Sequence, residues 1–298
     1  MKLRDRMPFH FIKLRWIWYV ISAVIILTGI VSLSTRGLNL GIDFTGGSLL
    51  DVRFERTAAV QEVREVLGAY GLEGASIQQS DANTFLIRSR ELSEEENNQL
   101  IQSLEAQFGE VDVRRGERVG PVIGQELIQK AVLALLVAAV LMIIYISWRF
   151  ELKQGIAAIV AVLHDVLVVL GLFSLLQLEV NTAFVAAILT VIGYSINDTI
   201  IIFDRVRENV LYMKKGMAFE DVINSSLWQT MARSINTALT VVFVLVAMLI
   251  LGGTTIQNMV VALLVGIVSG VYSSVFTAGP VFFDLKKFER RRPGAARA

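Results

Sequence analysis

Asp198 stands inside an apolar run, 183–203, where a carboxylate costs roughly 2.5–3.5 kcal/mol on insertion scales. A second acid, Asp165, follows His164 near the middle of the preceding apolar run, 155–176, and Arg233 stands at the mouth of the following one. Two acids, a histidine and a base on three consecutive apolar segments have the chemistry of a path for protons or small cations. Tyr194 shares a helical face with Asp198, and Asn197 continues a polar patch with Asp204 one heptad on. Arg233, Asn236, Thr237 and Thr240 fall at i, i+3, i+4 and i+7, a polar stripe along one helix. Helices joined by a short loop run antiparallel, so the Arg233 guanidinium comes within reach of Asp198. Arg205, seven residues after Asp198, is a rival partner. Burial favours the neutral form of a carboxylate and a nearby arginine the ionised form. A group balanced between them takes up and releases a proton near neutral pH, provided the arginine approaches and withdraws. The alternative is a static buried ion pair holding two helices together. His164 and Asp165 point about 100° apart on a helix. Either Asp165 titrates with His164 as helper, or His164 hydrogen-bonds a neighbouring helix.

The elements that carry these residues are membrane spans. Of 298 residues, 54% are hydrophobic and 18% charged, and the long charge-free stretches exclude an ordinary soluble protein. The absence of cysteine rules out disulfides, thiolate metal sites and thiol catalysis, and two histidines, His10 and His164, argue against a His-rich metal centre. Runs of roughly 20 residues match the bilayer-length rule at 16–33, 128–147, 155–176, 183–203, 234–251 and 258–283. The first follows a basic leader (Lys2, Arg4, Arg6, Lys13, Arg15). It is long for a signal-peptide core and lacks an A-x-A-like cleavage site, so it reads as an uncleaved anchor.

Basic residues in short loops set the orientation. Arg149 and Lys153 follow the second span, Arg205, Arg207, Lys214 and Lys215 the fourth, and Lys286, Lys287, Arg290, Arg291 and Arg292 the sixth. The intervening loops carry no base, so both termini are expected in the cytoplasm. The segment 34–124, with nine bases and fifteen acids, is then an acidic extracytoplasmic domain. The expected division is a leader and first span at 1–33, this domain at 34–124, a five-helix remainder at 125–283 and a basic tail at 284–298.

Within 34–124 the pattern reads strand (48–55), helix (58–70), strands (75–79 and 84–88), a helix opened by the Ser93/Glu96 capping box, and a last strand (111–114). That order is the split βαβ, ferredoxin-like plan, which by itself names no function. No nucleophile–base pair or metal cluster shows in it, so a non-enzymatic packing or binding module is expected, without cofactor. Two glycine-rich segments flank the domain. Asp43, Gly46 and Gly47 belong to a tight elbow between first span and first strand, where a strand rather than a helix follows, against a phosphate loop. Gly120 and Pro121 precede the second span as a hinge or a plain linker. Gly266 and Gly270 form a GxxxG pattern for close helix packing. The stretch 213–228 suits either an amphipathic surface helix or a covered connector.

Taken together these motifs resemble the SecF branch of the SecD/SecF protein-export family, in the RND superfamily. Gly41-Ile-Asp-Phe-Thr-Gly-Gly47 resembles the family's motif after the first span, and Val119-Gly-Pro-Val-Ile-Gly-Gln-Glu-Leu127 the one before the second. His164-Asp165, Gly193-Tyr-Ser-Ile-Asn-Asp-Thr199, Phe203-Asp-Arg-Val-Arg-Glu208 and Arg233-Ser-Ile-Asn-Thr237 resemble the membrane motifs, in the family's order. The resemblance implies a bacterial inner-membrane subunit paired with SecD and associated with the SecYEG channel and YajC. SecA pushes the unfolded preprotein from the cytoplasm, while proton flow drives its late-stage release outside. Membrane lipid surrounds the spans, and no nucleic acid is involved. The resemblance also implies that Asp198 and Arg233 lie on the proton pathway, with a further acid supplied by SecD. The rival readings are a stand-alone RND-type antiporter and a structural clamp on the translocon.

Overall fold

A computed structural model of the chain describes residues 9–149, 151–213 and 216–290. Lys2, Arg4, Arg6, Lys214, Lys215, Arg291, Arg292 and the end of the tail lie outside them. In chain order the elements are α1 (Arg15–Arg36), β1 (Asn39–Leu40), α2 (Ile42–Thr45), β2 (Gly47–Phe54), α3 (Val60–Gly68), β3 (Ser76–Asp81), β4 (Thr84–Ser89), α4 (Glu94–Phe108) and β5 (Val111–Val119). There follow α5 (Pro121–Arg149), α6 (Leu152–Leu176), β6 (Glu179–Val180), α7 (Thr182–Leu211), α8 (Phe219–Leu251) and α9 (Thr254–Ser273). The last of these runs through a π-helical turn, Ser274–Ala278, into α10 (Gly279–Arg290). The chain divides into two compact units, Met1–Asn39 with Ala134–Ala298, and Leu40–Leu133.

Six helices among the described residues are long and apolar enough to cross a membrane, the last counted from Thr255 through α10. Glycine sets how closely they approach. A methyl group on Gly29 of α1 would lie 2.8 Å from the Gly171 Cα of α6, so these two backbones touch. A methyl on Gly266 of α9 would overlap the Val191 side chain of α7, and one on Gly270 would sit 3.4 Å from the Ser195 Cβ. The GxxxG pattern is therefore an internal seam between α7 and α9.

Two helices run well past the hydrophobic stretches that announce them. The continuation of α7 through Leu211 is rich in good helix formers and carries charges that pair: both Asp204 oxygens accept from Arg149 at 3.0 Å, and Arg205 donates to Glu208 at 2.8 Å. Arg205 thus turns away from Asp198. Of the two readings of 213–228, the start of α8 fits the covered connector. From Phe219 the segment is part of one continuous helix whose Val222, Ile223 and Leu227 are buried. The Asn224 Oδ1 accepts from the Phe11 backbone N–H at 2.8 Å, and the Trp228 indole donates to the Phe9 carbonyl at 2.9 Å. The N-terminal segment covers that apolar face, so it does not lie on lipid.

The second unit holds a four-stranded antiparallel sheet in the order β3-β4-β2-β5. Leu50, Val52 and Phe54 of β2 alternate onto one face and share a core with Val63 and Leu67 of α3 and Leu100, Leu104 and Phe108 of α4. The Phe54 ring stacks on Phe85 and Phe108 at 5.2 and 4.7 Å. The Ser93/Glu96 box closes the start of α4: the Ser93 hydroxyl accepts from Glu96 N–H at 3.1 Å, and Glu96 accepts from Ser93 N–H at 2.8 Å. Arg90 donates to the other Glu96 oxygen at 2.7 Å. That hydrogen bond, with the box, holds the carboxyl down to about 2.

Candidate functional site

The elbow and the hinge meet. Asp43 lies in the single helical turn of α2, which ends on Gly46 (φ +72°) and Gly47 (φ +127°). A side chain at Gly47 would collide with the Ser89 carbonyl, and one at Gly46 would come within 3.2 Å of the Pro121 Cα. Gly124 faces the Phe44 carbonyl with 3.0 Å for any added methyl. Gly120 precedes the helix, and Pro121 is the first residue of α5, where its missing N–H is no loss. Two motifs about eighty residues apart in sequence thus make one backbone-on-backbone joint.

In the membrane unit the structure gathers the acids among hydroxyls. Asp165 is 1% exposed on α6. Its Oδ1 accepts from Ser269 at 2.6 Å, and its Oδ2 from Ser195 at 2.6 Å and Ser273 at 2.7 Å. The His164 Nδ1 lies 3.1 Å from Oδ1, so the two neighbours meet through their side chains despite diverging along the helix. The His164 ring stacks on Tyr272 at 5.6 Å between centroids, and its Nε2 is buried without a hydrogen-bond partner among the described residues. Ser195 comes from α7 and Ser269 and Ser273 from α9, so a single carboxylate ties three helices.

Asp198, 5% exposed, is held differently. Its Oδ1 accepts from the Ser234 hydroxyl of α8 at 2.5 Å, while Oδ2 is buried with no hydrogen bond of ordinary geometry among the described residues, the Ser274 hydroxyl standing near enough to act on the carboxylate. Next to it, Thr199 and Ser274 exchange a hydrogen bond at 2.9 Å, and the Ser274 hydroxyl approaches the Ser195 carbonyl at 3.5 Å. The expected direct contact with Arg233 is replaced: no ion pair joins Arg233 to Asp198 among the described residues, and its neighbour Ser234 makes the bond. Adjacent helical residues point about 100° apart. Ser234 is turned in, and Arg233 is turned out to an exposed face, close enough for its charge to act on Asp198.

Asn236, three residues on, lies on the same side of α8, and Asn197 and Gly193 of α7 are exposed as well. Thr237 and Thr240 donate to the carbonyls of Arg233 and Thr237 in their own helix, at 2.9 and 2.8 Å. The side chains of Arg233 and Asn236 have no hydrogen-bond partner among the described residues. Sequence reasoning missed Ser195, Ser234, Ser269, Ser273 and Ser274. Their signal was a helical spacing of hydroxyls, of which 269, 273 and 274 fall within a turn and a half. No cluster able to hold a metal ion occurs among the described residues.

Residues 99–288 match the family described as protein export membrane protein SecD/SecF, C-terminal, and residues 31–58 match the SecD/SecF GG motif. A protein translocase subunit SecF from Acidaminococcus fermentans is 44% identical over 95% of this chain and 99% of its own. One from Vibrio alginolyticus is 41% identical over 91% and 89%. The crystal structure of SecDF from Thermus thermophilus, a translocon-associated membrane protein, superposes with a TM-score of 0.88 at 35% identity, covering 96% of this chain and 40% of that one. A SecDF in the super-membrane-facing form gives 0.70 at 34%, covering 95% and 39%. With a family match over well over half its length and relatives of about 40% identity end to end, the chain belongs to the SecD/SecF family of protein-export membrane proteins, as a SecF-like subunit of the bacterial inner membrane.

Proposed function

We propose that this subunit, without enzymatic activity of its own, couples inward proton movement to late-stage export of unfolded preproteins, with Asp198 as the group that gains and loses the proton. The observation that carries the reading is the asymmetry at Asp198. One carboxylate oxygen takes the Ser234 hydroxyl and the other is buried without a hydrogen bond of ordinary geometry, within range of an arginine that has no hydrogen-bond or ion-pair partner among the described residues. An arginine and two asparagines facing lipid are costly, so such a face is covered by protein in the membrane. The occupant is a SecD-type membrane half, matching the length of the SecDF structure beyond the 40% spanned by this chain. Association with SecYEG, SecA and YajC follows from the family's work at the translocon.

Both termini lie in the cytoplasm, and the unit Leu40–Leu133, whose strand order fits the split βαβ, ferredoxin-like plan, stands outside. A change of ionisation at Asp198, answered by movement of Arg233, is passed to that domain through the joint of Gly46, Gly47, Gly120 and Pro121. In vesicles holding the whole translocase, Asp198→Asn is expected to abolish the acceleration of export by a pH gradient while SecA-driven transport persists. Unchanged acceleration would remove Asp198 from the mechanism, and equal stimulation with and without a gradient in the unaltered complex would favour a plain clamp.

A further inference from the structure

We infer that Asp165 does not carry the proton but is a positioning residue for Asp198. The hydroxyl bonds it accepts fix Ser195 and the Ser273–Ser274 pair, and these build the pocket in which Asp198 titrates. The inference rests on the assignment of Asp198 as the titrating group.

The two carboxylates contrast in what a proton would cost them. A carboxylate has about four lone-pair sites. Those of Asp165 meet Ser195 and Ser273 on Oδ2 and Ser269 and His164 on Oδ1. Protonating it turns an acceptor into a donor, so the set must rearrange: on Oδ2 the Ser273 hydroxyl has to turn its proton to the Gly270 carbonyl, 3.2 Å away, and on Oδ1 His164 has to present Nδ1 as an acceptor. Asp198 has no hydrogen bond of ordinary geometry on Oδ2 among the described residues and can take a proton there with the Ser234 bond intact.

The link between them is covalent and short. Ser273 donates to Asp165, and Ser274, the next residue, bonds Thr199 beside Asp198. The turn from one partner to the other falls where α9 gives way to the π-helical turn Ser274–Ala278, a local widening of the kind that re-aims side chains at functional sites. Ser195 grips Asp165 from the same helix that bears Asp198, three residues earlier. Asp165 therefore holds two walls of the Asp198 pocket. Of the titratable or charged groups on the elements packed here, Arg233 on α8 acts on Asp198 directly, Tyr194 shares its face of α7, and Asp165 with His164 stands on α6 behind Ser195 and Ser273.

The test is an infrared titration of the complete complex in lipid, with the Asp198 carboxyl band assigned by its loss in Asp198→Asn. Ser273→Ala removes one contact to Asp165 without touching Asp198, and Asp165→Asn alters them all. Each is expected to move the midpoint of the Asp198 band by about half a unit or more, a hydrogen bond's worth, and neither should delete a second titrating band. The inference is overturned if Ser273→Ala, in a complex that remains assembled, leaves the midpoint in place. It is equally overturned if Asp165→Asn removes a titrating carboxyl band of its own. A complex in which Asp198→Asn removes no titrating band sinks the proton-coupling assignment and this inference together. A band that titrates but ignores position 273 sinks the inference alone.

Discussion

Gly266→Ala puts a methyl group where α9 crosses α7. The added carbon would overlap Val191 Cγ2 and stand 2.7 Å from Cγ1 and 3.0 Å from Cβ. Val191 is 1% exposed and β-branched, with a stiff χ1, so it cannot swing aside. The helices must separate by a few tenths of an ångström or more, and overpacking of this kind costs about 1–3 kcal/mol. That is roughly a fivefold to 150-fold loss in the ratio of folded to unfolded chain. The damage reaches the site, because Ser269 and Ser273 ride on the displaced helix and reach Asp165 at 2.6 and 2.7 Å. Reversible unfolding in mixed micelles reads the cost directly. Gly193→Ala is the control: a methyl there meets nothing within 4 Å, so it should leave the isolated chain as stable or firmer. Val191→Ala supplies a rescue. Alone it is destabilising, but it removes both offending methyls, so the double variant should recover about 0.5–3 kcal/mol against the sum of the singles. A Gly266→Ala chain as stable as the parent, or a double variant that is merely additive, would refute close packing at this seam.

Gly47→Ala is expected to be poorly tolerated, because φ is +127° and the new carbon would strike the Ser89 carbonyl of β4. Amide exchange should report a loosened β2–β4 ladder with α3 and α4 protected as before. Glu96, held to about 2 from an ordinary value of 4.5, contributes stability to α4 that is whole above 4.5 and lost as pH falls through about 2. NMR titration should place the loss of the N-terminal turn of α4 in that window, and Arg90→Ala should move it upward. Arg233→Leu should leave the isolated chain folded, since the guanidinium has no hydrogen-bond partner there among the described residues, yet weaken co-purification of a SecD-type partner. Undiminished co-purification would place the partner on another face.

The spans were legible because hydropathy reports which residues tolerate lipid, and each of the six runs falls on helix, the sixth passing from α9 through the π-helical turn into α10. Their ends were not. Hydropathy falls where water begins, whereas α7 continues to Leu211 on charged helix formers and α8 begins at Phe219, where burial of Val222, Ile223 and Leu227 holds the helix. Asp198, Asp165 and His164 stood out as ionisable groups in apolar runs, and the structure brings all three into buried polar contacts. Their partners did not stand out, because serine is common and unobtrusive in membrane helices, where it can bond its own backbone. Arg233 was read as the contact and Ser234 proved to be it, because one step along the helix turns the side chain by about 100° and the polar stripe alone does not show which of the two faces inward. The GxxxG seam was visible as a pair of glycines at fixed spacing, whereas Gly29 and Gly171 are single residues on separate helices, and only their meeting in space gives them meaning. The same holds for Gly46 and Pro121, read as separate features and found at one joint.

The most direct measurement follows the Asp198 carboxyl band in the assembled translocase, in lipid, while a pH gradient is imposed and withdrawn during export. The protonated fraction is expected to change with the gradient and with preprotein movement, and to vanish from the record in Asp198→Asn. A band that holds one ionisation state throughout, with export accelerated all the same, would contradict the assignment of Asp198 as the coupling group.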